Sequence, residues 1–75
     1  MPYKINQKGE DTRTEHRYTL TEKQNQALDY LHKHKNDWTG ANEVATFYGY
    51  KNGWWFRGVL SSLHRKGLIN KIAED

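Results

Sequence analysis

The run KNGWWFRGVLSSLHRKG, residues 51–67, decides the fold. Phe56, Val59, Leu60 and Leu63 recur at i, i+3, i+4 and i+7, the spacing that lines apolar side chains along one stripe of an α-helix. Asn52 is the expected N-cap, with Gly53 permissive beside it, and Gly67 stands where a glycine in left-handed conformation ends a helix. Arg65 and Lys66 fall in the last turn, where cations meet the negative end of the macrodipole. Opposite the stripe, at about 100° per residue, lie Trp54, Gly58, Ser61 and Arg65, flanked by Arg57, Ser62 and Trp55. Small residues in the middle of that outer face let another surface approach the backbone, and the charges at its margins favour an anionic one. Nucleic acid meets both conditions; a merely solvated face is the bland alternative.

Outward from this helix, Ala41, Val44, Ala45 and Tyr48 recur at helical spacing, with Thr39 as the expected cap and Gly49 as the stop. Upstream, Thr21 and Gln24 have the form of a capping box, and Ala27, Leu28 and Leu31 trace one stripe, which predicts a helix over residues 22–35. Asn36 and Asp37 break it, and Trp38 is expected to put its indole in the core. Downstream of Gly67, the run Leu68, Ile69, Asn70, Lys71, Ile72 alternates as a strand does. The first residues are polar and poor in aliphatics, so 1–13 is expected to be a flexible arm ahead of a folded domain over 14–75. Threonines and Tyr18 favour a short strand within 14–19, pairing antiparallel with 68–72, because a lone strand would leave its ladder groups unpaired. The expected fold class is mainly α with a small β-sheet. Its expected core is Leu28, Leu31, Val44, Ala45, Phe56, Val59, Leu60, Leu63, Leu68 and Ile69.

Seventy-five residues hold one modest core. The absence of cysteine excludes a disulfide framework and fits a reducing, cytoplasmic setting. The longest apolar run, Trp54 to Phe56, is far too short for a membrane span, so no membrane partner is expected. The formal charge of +3 is unevenly spread. Between Lys51 and Lys71 stand five cations and no acid, a one-sided footprint of the kind that faces phosphate.

From Leu20 to Ile72 the sequence resembles a winged-helix DNA-binding domain, the superfamily of the multiple-antibiotic-resistance regulators and many small phage and bacterial repressors. The residues that carry the resemblance are Leu20-Thr21, Leu28 to Leu31, Glu43-Val44-Ala45, Gly49 and, above all, VLSSLHRKGLI from Val59 to Ile69. It implies a three-helix winged helix-turn-helix whose third helix reads DNA. A standard wing returns through a loop into a second strand, which has no counterpart after Ile72. An N-terminal segment is therefore expected to complete a reduced wing. VLSSLHRKG is also similar to the third helix of binders of left-handed nucleic acid, but those carry asparagine and tyrosine where this chain has Arg57 and Ser61, so that specificity is not carried over.

The function so implied is a small transcriptional regulator that reads duplex DNA with the helix at about 53–66, as a monomer or weak homodimer. Lys51 and Asn52 would meet phosphate at the start of the helix. Arg57, Ser61 and Trp54 would reach base edges, with Arg57 on guanine O6 and N7, and Arg65 and Lys71 would hold the flanking backbone. A different class of function is a protein-interaction module built on the Tyr48, Tyr50, Trp54, Trp55 patch, since tryptophan, tyrosine and arginine are the residues of hot spots. Stacking of single-stranded nucleic acid on those rings is a third. Catalysis is not expected, and no cofactor or metal is called for: His16, His32, His34 and His64 fall at no recognised ligand spacing, and there is no nucleophile elbow or phosphate-cradling loop.

Overall fold

The computed structural model describes residues 2–71. Within them lie strand β1 (Tyr3–Ile5), helices α1 (Gln7–Glu15), α2 (Glu22–Lys33), α3 (Ala41–Phe47) and α4 (Trp54–Arg65), and strand β2 (Ile69–Lys71), with a 3₁₀ turn at Arg17–Thr19. The chain is thus mainly α with a two-stranded antiparallel sheet, in which Tyr3 faces Lys71, Lys4 faces Asn70 and Ile5 faces Ile69.

The strand that joins β2 does come from the N-terminal side, but from Tyr3–Ile5 rather than from within 14–19, where the chain forms the end of α1 and the 3₁₀ turn. Ile72, at the end of the expected pairing, lies outside the described residues. Two core-facing side chains, Tyr3 and Ile5, explain the choice. Tyr3 and Ile5 point to the same side of β1, Tyr3 is buried and Ile5 packs on the core, whereas Tyr18 is 83% exposed. The expected flexible arm over 1–13 is accordingly corrected: its residues carry a strand and a helix, and the expected three helices become four. Its other edge is also satisfied, since the Tyr3 N–H donates to the Thr39 carbonyl at 2.8 Å and the Thr39 N–H donates back at 2.9 Å.

Helix α1 has no apolar stripe; polar contacts position it. Asn6 caps it, its side-chain oxygen accepting from the Gly9 N–H at 2.9 Å. The Glu10 carboxylate meets His32 Nδ1 at 2.7 Å, and Arg13 meets Asp29 at 3.5 Å. Arg17, in the 3₁₀ turn, grips the same Asp29 with both terminal guanidinium nitrogens, at 2.8 and 3.0 Å. Burial alone pushes the Asp29 carboxyl up, but the hydrogen bonds and charges of Arg17 and Arg13 outweigh it and hold the group below its ordinary value. Gly9 lets α1 lie this close, because a Cβ there would collide with the Leu68 carbonyl oxygen.

The capping box forms as expected: Thr21 Oγ1 accepts from the Gln24 N–H, and Gln24 Oε1 accepts from the Thr21 N–H. Helix α2 ends at Lys33, one turn's fraction before the expected residue 35. Thr39 does not cap α3; Gly40 stands at that position, and the Thr39 side chain is buried beside β1. Trp38 is likewise not a core residue, being 41% exposed with Lys4 Nζ over its ring at 4.8 Å. The core otherwise follows the stripes, with Leu28, Leu31, Val44, Ala45, Phe56, Leu60, Leu63, Leu68 and Ile69 buried, Val59 half-buried, and Tyr3 and Ala27 added. Among the described residues no helix is long and apolar enough to cross a membrane.

Candidate nucleic-acid interface

Helix α4 buries Phe56, Leu60 and Leu63 against α2 and α3, and so turns Trp54, Arg57, Gly58 and Arg65 to solvent. Its N-cap is Gly53, not Asn52. The Asn52 side-chain oxygen instead accepts from the Trp54 main-chain N–H at 2.9 Å, fixing the turn that feeds the helix. Gly53 is buried beneath α3, where its N–H donates to the Asn42 side-chain oxygen at 2.9 Å; no Cβ would fit there. The starts of α3 and α4 are thereby held side by side. At the other end Gly67 takes φ +78°, the left-handed conformation expected of it, and the Leu68 N–H donates to the Leu63 carbonyl at 3.1 Å. That reversal lays β2 back along the helix and brings Lys71 beside it.

Two concavities result. The first, about 670 Å³, runs between the starts of α3 and α4 and is walled by Asn42, Glu43, Asn52, Trp54 and Arg57. The second, about 400 Å³, lies between α4 and the sheet and is lined by Tyr3, Ala41, Arg57, Gly58, Ser61 and Lys71. Arg57 stands on the ridge shared by both. Among the described residues the second carries two cations and no acid in its lining, and Arg65 follows Ser61 one turn further along α4.

The described ion pairs all fall elsewhere, at Arg13 and Arg17 with Asp29 and at His32 with Glu10. Three more cations, Lys4, Lys23 and Lys33, lie over the rings of Trp38, of Tyr50 and Trp55, and of Phe47. Lys51, Arg57, Arg65 and Lys71 are all exposed on or beside α4, and none of them enters an ion pair among the described residues.

Of the residues singled out in the sequence, Asn52, Trp54 and Arg57 meet in the first cleft, and Arg57, Ser61 and Lys71 in the second. Lys51 precedes them in an exposed turn. Ser62 faces inward instead, its hydroxyl accepting from Gln24 Nε2 at 3.0 Å. The expected aromatic patch divides. Tyr48 is committed to the scaffold, with its hydroxyl donating to the Gln26 carbonyl at 2.8 Å, and Tyr50 packs edge-on against Phe56. Burial pushes the Tyr48 hydroxyl up from its ordinary value. Trp54 and Trp55 remain 67% and 54% exposed, edge to face at 5.5 Å. Sequence reasoning missed Tyr3, Ala41 and Asn42, which line or brace the site; a tyrosine 54 positions before Arg57 leaves no local signal. Compared with family models, curated proteins and solved structures, the chain matches none.

Proposed function

We propose that the protein is a duplex-DNA-binding domain of winged-helix type, a small transcriptional regulator that presents α4 to the major groove. The observation that carries this reading is the convergence of Arg57 and Ser61 from α4 with Lys71 from β2 on one concavity that no acid lines among the described residues, beside a glycine, Gly58, with open space outside it among those residues. Cations drawn from two different elements onto one face suit an anionic surface that spans both. The antiparallel pairing of β1 with β2 supports a wing completed from the N-terminal side. In this reading Arg57 takes a guanine edge, Ser61 a neighbouring base or phosphate, and Lys51, Arg65 and Lys71 the backbone on either side. Asn52 holds the Trp54 N–H with its side-chain oxygen, and its amide N–H groups would donate to phosphate at the start of the helix.

A second reading, a protein-interaction module, draws on the exposed Trp54 and Trp55 pair. Titration of labelled duplex at increasing salt separates the two. Three cationic phosphate contacts, from Lys51, Arg65 and Lys71, give a slope of about −3 in log K against log salt. An affinity indifferent to salt, or no duplex binding, would remove the DNA reading.

A further inference from the structure

We infer that Trp54 and Arg57 together read two adjacent base pairs, Arg57 a guanine and Trp54 the C5-methyl group of a neighbouring thymine; this rests on the duplex-DNA reading above. Trp54 is the first residue of α4, on the side away from the buried stripe, and is two-thirds exposed. Its surroundings hold it in place. Its main-chain N–H is tied to Asn52, and its ring stands at 81° against that of Trp55. Trp55 does not share the role, because its ring faces Lys23 on the α2 side, 5.8 Å from that ammonium, and takes no part in the cleft that Trp54 and Arg57 line together.

What that cleft would receive follows from its chemistry. Glu43 on the opposite wall repels phosphate, so base edges suit the cleft better than backbone does. Residues three apart on a helix are about 5–6 Å apart at Cβ, and base pairs stack about 3.4 Å apart, so the two side chains address neighbouring pairs. The planar fork of Arg57 fits guanine O6 and N7. An indole offers an apolar body and a single donor, and the apolar group on the floor of the major groove is the thymine methyl. The recognised element is therefore a guanine next to a 5-methylpyrimidine.

The test uses the 75-residue chain. Selection from a random duplex pool gives its preferred site, which is then synthesised with thymine, with uracil, with cytosine and with 5-methylcytosine at the position beside the guanine. Uracil differs from thymine by the methyl alone. The expected result is a loss of about fourfold on replacing thymine by uracil, and a gain of similar size on methylating the cytosine. Trp54→Ala, a change at an exposed side chain, should bind all four duplexes without regard to methylation and keep the wild-type melting curve. Arg57→Ala should lose the guanine preference but keep the methyl preference. Equal wild-type affinity for thymine and uracil duplexes, or a selected site with no guanine beside a thymine, overturns this inference and leaves the proposed function standing. Failure to bind any duplex overturns both.

Discussion

Asn6 reaches across 61 positions of sequence to donate its side-chain amide to the Gly67 carbonyl at 2.8 Å, while its oxygen caps α1. A second bond from the same amide goes to the Asn70 side-chain oxygen at 3.1 Å. One residue therefore joins the start of α1, the end of α4 and the strand that carries Lys71.

Replacing Asn6 by alanine removes the cap and both cross-links, and should lower stability by about 1–2 kcal/mol. Asn6→Asp keeps the capping oxygen and loses the donors, so it should fall between wild type and Asn6→Ala. Urea denaturation of the three proteins checks the order. Equal midpoints for wild type and Asn6→Ala would mean that β1 and α1 are not held through this residue.

Gly53 and Gly58 lie five positions apart near the start of α4 and should respond oppositely to alanine. A Cβ on Gly53 meets Asn42, including its backbone nitrogen at 2.7 Å, and should cost about 1–3 kcal/mol. A Cβ on Gly58 meets nothing within 4 Å among the described residues, so Gly58→Ala should stabilise the helix by about 0.5–1 kcal/mol. If α4 enters a groove, that added methyl sits where DNA must approach, and duplex affinity should fall as stability rises. Thermal melting and duplex titration of the same variant read the two effects separately.

Asp29 supplies the pH dependence. Its carboxyl is depressed in the folded state, so its contribution is fully present above the unfolded value of about 4 and is lost as pH falls through the lower folded value. The wild type should therefore lose stability on acidification from about pH 5 downward. Asp29→Asn should be less stable at neutral pH by up to about 1 kcal/mol, the pair being partly solvated, and its acid dependence should be shallower. Denaturation midpoints from pH 7 to pH 3 give both slopes.

The helices with apolar stripes were legible because burial writes a period into sequence: Leu28 and Leu31, Val44 and Ala45, and Phe56, Leu60 and Leu63 are buried where their spacing put them. Helix α1 was not, since QKGEDTRTE contains no large apolar residue, and its stability comes from Asn6, His32 and Asp29, partners that no local pattern reveals. Strand β1 escaped for a different reason. Three residues of Tyr-Lys-Ile are too short to show alternation, and only the contact with Thr39 on one side and β2 on the other makes them a strand. At the site, the outward turn of Arg57 and Gly58 followed from the helical period. The approach of Lys71 to Arg57 did not, because it depends on the reversal at Gly67.

The claim that α4 reads DNA is tested most directly by comparing Arg57→Ala with Lys71→Ala on duplex pools at two salt concentrations. Both residues are exposed and border the same concavity, so neither change should disturb the fold. Arg57→Ala should abolish preference at one or two base pairs, at about 1–3 kcal/mol for the preferred site, and leave weak binding elsewhere untouched. Lys71→Ala should weaken all sequences alike and flatten the salt slope by about one unit. Uniform loss across sequences for Arg57→Ala, or wild-type binding no tighter to any sequence than to the pool, would contradict recognition by this helix.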